Sequence, residues 1–291
     1  MNLLVTGGSG YIGSALVSSL ARMGHAVRVF DLRPPAHFEK HSNCEFVPGN
    51  LLNASEVSGA LPDIECVYHL AWSFYPEDYR REIKENLAAT LNLLEACRTS
   101  KVHHLIFASS AVVYGPTGTK PAHEDDACHP ERSSIGGPSY GIIKLACEEF
   151  ILALQDGGRS VTIMRIHGVF SENRLGQFSE MIERAAEGKD VSAIREAGGQ
   201  YTHLDDAVSA LCLALGRKEA LGEVFNVAGS RIYRDSDIAD HVVETAGTAS
   251  KVALLEDSGR SMISVSIDKI SRQLGYRPRE DDFLSELISA S

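Results

Sequence analysis

The sequence predicts an α/β protein, with a doubly wound parallel sheet and a smaller C-terminal lobe. Short, almost continuously apolar runs alternate with amphipathic stretches, as is typical of parallel strands covered by helices on both faces. The first apolar run, residues 2–6, leads directly into a glycine-rich turn and then into a helix. Sheets of this kind bind ligands at the carboxyl ends of their strands, so those ends are the expected place for a functional site.

The glycine-rich turn places Gly7, Gly10 and Gly13 three residues apart, with Tyr11 and Ile12 beginning the helix. Gly7 can adopt the positive φ of a tight turn. Gly10 lets a pyrophosphate approach the backbone, and Gly13 lets the helix pack close to the strand. The N–H groups and positive dipole end of the helix then face the negative ligand. The spacing predicts a Rossmann nucleotide-binding turn.

The first helix extends to about residue 23, and a second strand over residues 26–30 ends in Asp31. An acid about twenty residues after the glycines accepts hydrogen bonds from both hydroxyls of an adenosine ribose, which favours NAD. A 2′-phosphate would be repelled by Asp31. Arg33 softens that preference, so NADP is disfavoured but stays open.

The following segments continue the alternation. Strands are expected at residues 44–47, 65–70, 104–108 and 161–165, with helices at 78–98 and 140–154. Beyond residue 168 the pattern becomes irregular, with helices expected near 176–187, 205–215, 235–246 and 268–274 and strands near 223–227 and 251–255. We therefore expect an NAD-binding domain over residues 1–167 and a substrate-binding lobe over 168–291, with some elements of the lobe returning to the first domain.

Composition limits the classes of partner. The 291-residue chain has a formal charge of −11, which argues against nucleic acid or an anionic membrane surface as a partner. Its six cysteines lie far apart without a Cys-x-x-Cys pair, so we expect reduced thiols and no metal site. The first strand begins at residue 2 and no apolar run is long enough to span a bilayer. The sequence predicts a soluble, cytoplasmic protein that acts on a small molecule.

Three side chains carry the predicted chemistry. Ser110 follows the fifth strand, and Tyr140 and Lys144 lie four apart on one face of a later helix. A phenol with an ordinary pKa near 10 is a poor base at neutral pH. We expect the Lys144 ammonium and an oxidised nicotinamide to lower that pKa. Tyr140 then takes a proton from a substrate hydroxyl that Ser110 holds, while hydride leaves the same carbon. Lys144 also reaches the cofactor ribose.

The chain resembles the extended short-chain dehydrogenase/reductases of the NAD-dependent epimerase/dehydratase type, related to UDP-glucose 4-epimerase. The similarity runs almost from end to end. It rests on residues 6–13, 49–51, 69–71, 86–97, 109–115, 140–144, 165–170, 203–207, 225–227 and 274–278.

The resemblance implies further cofactor contacts. Asn50, in the segment that also includes Leu51, is expected to contact the adenine, since an amide oxygen can accept a hydrogen bond. Leu70 and Ala71 would provide backbone beside the ribose and phosphates. The remaining implied contacts are Asn86, bracing the region of the fifth strand, and Ile166 and His167, flanking the nicotinamide. His167 is expected to be a satisfied histidine lining the cleft, not a second acid or base. A homodimer formed through helices 78–98 and 140–154 is also implied.

The sequence departs from the family pattern where the reaction is decided. Relatives that eliminate water carry an Asp-Glu pair after the serine, and decarboxylases carry Glu, whereas this chain has Ala111 and Val112. Neither residue can move a proton, so dehydration and decarboxylation are not expected. The lysine that the family places near the nicotinamide is replaced by Phe74, beside Trp72, which makes the cleft more apolar.

The set of residues with which the family binds a sugar nucleotide is also incomplete in this sequence. Gly168 stands where UDP-sugar epimerases usually have Asn, and the arginine expected at Gly199 or Gln200 is missing. The family pattern has a second arginine at a position that corresponds to about Glu256 in this chain. Arg260 lies close to that position in the sequence but does not coincide with it. The arginines that could hold a diphosphate instead are Arg174, Arg195, Arg231 and Arg234.

Three hypotheses follow. The leading one is an NAD-dependent epimerase of a sugar nucleotide, of the 4-epimerase type, acting through a transient ketone. The alternative is an NAD(P)-dependent dehydrogenase or reductase of a non-nucleotide alcohol or ketone. A catalytically silent nucleotide-binding regulator is least favoured, because the set of Ser110, Tyr140 and Lys144 is intact.

Overall fold

The structure, a computed structural model, describes residues 1–35, 42–133, 135–137, 139–155, 159–172, 174–175, 178–256 and 262–279. Its first part contains the elements β1 (Asn2–Thr6), α1 (Tyr11–Arg22), β2 (Ala26–Asp31), β3 (Cys44–Pro48), α2 (Ala54–Ala60), β4 (Cys66–His69), α3 (Tyr79–Glu82), α4 (Ala88–Arg98), β5 (His104–Ser110), α5 (Tyr140–Leu152) and β6 (Ser160–Ile166). A π-helical turn, Ile83–Leu87, joins α3 to α4, and short 3₁₀ turns occur at Ala111–Tyr114 and Pro130–Arg132.

The C-terminal part follows with smaller elements. They are β7 (Val169–Phe170), α6 (Ser179–Ala186), β8 (Val191–Ile194), β9 (Gly198–Gly199), β10 (Thr202–His203), α7 (Leu204–Ala214), β11 (Glu223–Val227), β12 (Tyr233–Arg234), α8 (Asp235–Ala246), β13 (Val252–Leu255), β14 (Met262–Ile263) and α9 (Asp268–Gln273). A 3₁₀ turn, Lys218–Ala220, precedes β11. The predicted helix near 176–187 begins at residues outside the described part of the chain, and its described portion is α6.

Seven strands form the main sheet in the order β3-β2-β1-β4-β5-β6-β11, with parallel pairing between all neighbours. The predicted doubly wound parallel sheet is therefore confirmed. The chain moves outward from β1 in one direction and then returns to place β4 on the other side. This reversal opens a crevice at the carboxyl ends of β1 and β4. Helix α2 was not predicted.

The sheet buries side chains on both faces because successive residues of a strand point in opposite directions. Leu3 and Val5 of β1 pack into one apolar layer with α1 and α7, whereas Leu4 packs into the other layer with α2, α4 and α5. Helix α7 and strand β11 thus join the layers of the N-terminal sheet. A separate cluster fills the space between α6, α8 and β8. No helix within the described ranges is sufficiently long and apolar to cross a membrane.

Candidate active site

The turn after β1 forms a backbone cradle that only glycine fits. Gly7 has a φ of +71°, and a Cβ there would lie 2.5 Å from the backbone nitrogen of Ala71. A Cβ at Gly13 would lie 2.1 Å from the carbonyl oxygen of Gly7. The N-cap of α1 is Gly10, and no side chain caps this helix. Its first turn is therefore available to an anion such as a pyrophosphate.

A first cavity of about 610 Å³ opens beside this cradle at the ends of β1 to β4. Its walls include the predicted cofactor residues Gly7, Gly10, Asp31, Arg33, Asn50, Leu51, Leu70, Ala71 and Asn86. The Asp31 carboxylate lies at this edge of the sheet, where it accepts hydrogen bonds from the backbone nitrogens of Ser9 (3.0 Å) and Leu32 (2.7 Å). These bonds fix the carboxylate at the place predicted for a ribose contact.

Two of the implied cofactor residues have structural contacts of their own. Asn50 Oδ1 accepts a hydrogen bond from the backbone nitrogen of Leu52 at 2.9 Å, so it holds its own turn. The role implied for Asn86, bracing the region of the fifth strand, stays a prediction, and its side chain contacts the loop after β4. Its Nδ2 donates to the carbonyl of Ser73 and its Oδ1 accepts from the Ser73 nitrogen, both at 2.8 Å. Asn86 therefore fixes the loop after β4.

A second cavity, also of about 610 Å³, adjoins the first and shares Gly7, Gly10, Leu70 and Trp72 with it. Its walls include the other predicted site residues, namely Tyr11, Ile12, Gly13, Ser110, Tyr140, Lys144, Ile166 and His167. The fold thus brings the predicted catalytic set to one cavity that is continuous with the nucleotide cradle. The catalytic roles themselves remain predictions.

Tyr140 is partly buried, and its surroundings raise the pKa of its phenol. Its side chain hydrogen-bonds with Ser110, which lowers the pKa of the phenol, but burial is the larger effect and raises that pKa to about 12. The carboxylate of Glu82 raises it further. In this structure the cost of removing the phenolate from water exceeds the stabilisation from its hydrogen bond to Ser110. The expected lowering of the pKa by Lys144 and an oxidised nicotinamide together stays a prediction.

Lys144 projects from α5 into an aromatic and carbonyl environment. Its Nζ donates to the carbonyl oxygen of Ala108 at 2.7 Å and lies 3.7 Å from the ring centre of Trp72 and 4.7 Å from that of Phe107. Burial lowers the pKa of the amine to about 7. Lys144 therefore titrates in the neutral range, where it can be either cation or amine.

The loop after β4, residues 71–75, provides two aromatic rings to the site, and we call it the aromatic loop. Trp72 meets the Tyr140 ring edge-on at 5.7 Å, and Phe74 lies against the same ring at 5.3 Å. Phe74 remains 61% exposed. The indole nitrogen of Trp72 is buried and has no hydrogen-bond partner among the described residues. The sequence indicated an apolar cleft here, but not the packing on Tyr140.

A buried ion pair lies behind the site and was missed from the sequence. Arg165 Nη2 lies 2.7 Å from Glu148 Oε2, and the pair is almost fully buried. Ser109 donates to Glu148, and Arg165 Nη1 donates to the Tyr114 hydroxyl at 2.8 Å. An arginine ending an otherwise apolar strand was the available signal. The pair ties α5, which carries Tyr140 and Lys144, to β5 and β6.

His167 lines the cavity as expected for a satisfied histidine. Its Nδ1 donates to the carbonyl of Gln200, and burial lowers the pKa of the ring. A Cβ at Gly199 would lie 2.4 Å from His167 Cε1, so the imidazole occupies the space that a side chain at 199 would need. Gly168, with a φ of +50°, lies beside Tyr201 in the same wall.

One of the four candidate arginines lies at the site. Arg174 lines the second cavity, with its guanidinium 4.6 Å above the Tyr11 ring. Arg195 instead pairs with Glu256 at 3.2 Å, and both side chains are largely exposed. Arg231 and Arg234 are exposed and belong to neither cavity wall. Arg260 lies outside the described residues.

Comparison with known proteins agrees with this geometry. A model of the NAD dependent epimerase/dehydratase family matches residues 3–228. A UDP-glucose 4-epimerase of Lactobacillus helveticus is 27% identical over 97% of this chain and 93% of its own. A Bacillus cereus UDP-glucuronic acid 4-epimerase, solved with UDP-glucuronic acid and NAD, is 27% identical with a TM-score of 0.83, covering 100% of this chain and 97% of that one. An NAD-bound short-chain dehydrogenase/reductase superfamily protein of Agrobacterium tumefaciens is 25% identical with a TM-score of 0.85 and the same coverage.

Proposed function

The chain belongs to the NAD-dependent epimerase/dehydratase family, as an extended short-chain dehydrogenase whose cofactor is NAD, and we propose that it epimerises a sugar nucleotide through a transient ketone. The finer assignment is to the 4-epimerase type. The observation that best supports this proposal is that Ser110, Tyr140 and Lys144 line one cavity, which is continuous with the nucleotide cradle. The cradle fits NAD because Gly7 and Gly13 let the turn pack tightly where a Cβ would meet backbone, and the uncapped N-terminus of α1 is open to a pyrophosphate.

The side chains can move a proton at the substrate hydroxyl. In this proposal Ser110 Oγ holds the substrate oxygen and Tyr140 Oη takes its proton. With the oxidised nicotinamide bound and Lys144 Nζ protonated, the two positive charges would favour the phenolate form of Tyr140 over the phenol, against the burial that favours the phenol. Bound NAD supplies the hydride acceptor and later the donor. For epimerisation, the ketone must turn within the cavity before hydride returns to its other face.

The residues after Ser110 restrict the reaction. Ala111 and Val112 are buried in the cluster beneath the site, and Val112 also lines the second cavity. Neither carries a group that donates or accepts a proton. Elimination of water needs an acid at the leaving hydroxyl, and the residues at these positions provide none. Hydride transfer to and from one carbon is therefore the reaction that we propose.

The test is to identify the released nucleotide and then incubate the protein with UDP-hexoses, measuring both hexose composition and the absorbance of reduced nicotinamide. We expect interconversion of hexoses without net reduction of NAD. Tyr140→Phe should lose this activity and retain bound cofactor, because the ring still packs against Trp72 and Phe74. Stoichiometric NADH with a simple alcohol, and no hexose interconversion, would overturn the epimerase proposal.

A second candidate is a dehydrogenase of a non-nucleotide alcohol. The apolar wall formed by Phe74, Val112 and Ile135 favours it, since these residues line the cavity beside Tyr140. In that case the cofactor must exchange during turnover. NAD should then be removable by dialysis, and a panel of apolar secondary alcohols should give NADH in proportion to substrate consumed.

We also propose a homodimer through the helical run from α3 to α4 and helix α5. Ile83, Leu91, Ile142 and Phe150 are apolar side chains on these helices, each between 37% and 48% exposed. Apolar groups clustered on a surface indicate a protein interface. Sedimentation velocity should give a dimer, and Phe150→Lys should weaken it. A monomer at all concentrations would refute this interface.

A further inference from the structure

The aromatic loop is tied down by a buried carboxylate that the proposed mechanism does not use. Glu82 ends α3 and has no exposed surface. Its Oε1 accepts a hydrogen bond from the backbone nitrogen of Tyr75 at 3.3 Å, and its Oε2 accepts one from the hydroxyl of Ser139. Tyr75 ends the aromatic loop and Ser139 directly precedes Tyr140. One side chain therefore joins the loop to the start of the catalytic helix.

A π-helical turn begins immediately after Glu82 and contains the second tie. Asn86 lies in this turn and binds both backbone groups of Ser73, as described above. The loop is thus held at Ser73 and at Tyr75, on either side of Phe74. π-helical turns are rare and occur frequently at functional sites. The two ties leave Phe74 and Trp72 little freedom to leave the Tyr140 ring.

We propose that Glu82 is a positioning residue, which holds Trp72 and Phe74 against Tyr140 so that the phenol keeps one orientation for proton transfer. Both of its partners are donors, so the position needs two acceptor atoms. A carboxylate provides them, whereas a glutamine has one acceptor oxygen and an NH₂ group that must find another partner. Burying a carboxylate is costly unless it is fully hydrogen-bonded, which is consistent with a specific purpose at this position.

Trp72 gives the proposal a direct readout, because it is the only tryptophan of the chain. Its emission reports the packing of the aromatic loop without any substrate. In Glu82→Gln we expect the emission maximum to shift to longer wavelength and acrylamide quenching to increase. We expect kcat to fall about tenfold to a hundredfold, as for a displacement of about 1 Å at a reacting group, with a smaller change in KM.

Glu95→Gln is the matched control, since Glu95 lies on the same helical run but is largely exposed and pairs with Arg98 at 3.1 Å. It should leave emission and kcat unchanged. Ser139→Ala removes one of the two hydrogen bonds to Glu82 and introduces no unpaired buried amide. It therefore tests the proposal if Glu82→Gln does not fold. Emission and quenching equal to wild type in a folded Glu82→Gln or Ser139→Ala protein would overturn the proposal. The kinetic part rests on the proposed hydride transfer, whereas the emission part does not, so the two failures can be told apart.

Discussion

Replacing Lys144 with methionine is expected to stabilise the folded protein at neutral and acidic pH while abolishing the proposed proton transfer. Lys144 is 4% exposed, and burial lowers the pKa of its amine from 10.5 to about 7. Methionine has a similar length and no charge, so it fills the same space beneath Trp72. The substitution removes a buried cation, and burying that cation destabilises the folded wild-type protein.

The magnitude follows from the shift in the pKa. One pKa unit corresponds to about 1.4 kcal/mol, so the lowering of the Lys144 pKa represents about 5 kcal/mol against the charged form. The variant also loses the hydrogen bond to the Ala108 carbonyl, which offsets about 1–3 kcal/mol of the stabilisation gained by removing the charge. Below pH 7 the amine is charged in both the folded and the unfolded chain, so the cost is fully present. A net stabilisation of about 2–4 kcal/mol is expected there.

The sign of the pH dependence is the decisive part. Between about pH 7 and pH 10.5 the unfolded chain binds the Lys144 proton and the folded protein does not. The free energy of unfolding of the wild type therefore rises with pH across this window. The advantage of Lys144→Met should be largest near neutral and acidic pH and should disappear as pH approaches the ordinary pKa of lysine.

Urea unfolding followed by circular dichroism, on wild type and variant at several pH values, measures this difference. Lys101→Met is the control, because Lys101 is largely exposed and pairs with Asp63 at 3.3 Å. It should change stability by less than about 1 kcal/mol. A Lys144→Met protein that is less stable than wild type at neutral pH, or whose gain is the same at every pH, would show that burial does not lower the pKa of the amine.

Three further outcomes are expected. Gly13→Ala should lose NAD binding in calorimetry, because a Cβ 2.1 Å from the Gly7 carbonyl oxygen forces the cradle apart. Asp31→Asn should weaken the binding of NAD. It should also reduce the ratio of the Kd for NADP to the Kd for NAD by about tenfold, since the charge that repels a 2′-phosphate is gone. Glu148→Gln leaves Arg165 buried without its charged partner and should destabilise the protein by about 3–5 kcal/mol in urea unfolding.

The fold and the position of the site could be predicted because both follow from order along the chain. Gly7, Asp31, Ala71 and Ser110 each come just after or at the end of a predicted strand. Once the strands are parallel, these residues must lie on one edge of the sheet. No knowledge of side-chain packing is needed for that step. The helical spacing of Tyr140 and Lys144 is equally local, and both side chains face the second cavity.

The energetic state of the site could not be predicted in this way, since it depends on contacts between distant segments. The sequence predicts a lowered pKa for Tyr140, whereas the burial of its side chain, which no spacing reveals, raises that pKa in this structure. Glu82 lies 57 residues from Ser139 along the chain, so its role has no local signature. Arg174 likewise differs from Arg195 only in where the fold places it.

A series of hydrogen bonds connects the end of β1, beside the nucleotide cradle, to the aromatic loop. Thr6 donates to His69 Nδ1 (2.8 Å), and His69 Nε2 in turn donates to Thr90 Oγ1 (3.0 Å). Thr90 donates to the carbonyl of Asn86 (2.8 Å), whose side chain holds Ser73. Burial lowers the pKa of His69 to about 3, so the ring stays neutral and this donor order, assigned from the network, persists at physiological pH. These hydrogen bonds connect the end of β1 to the loop that packs on Tyr140.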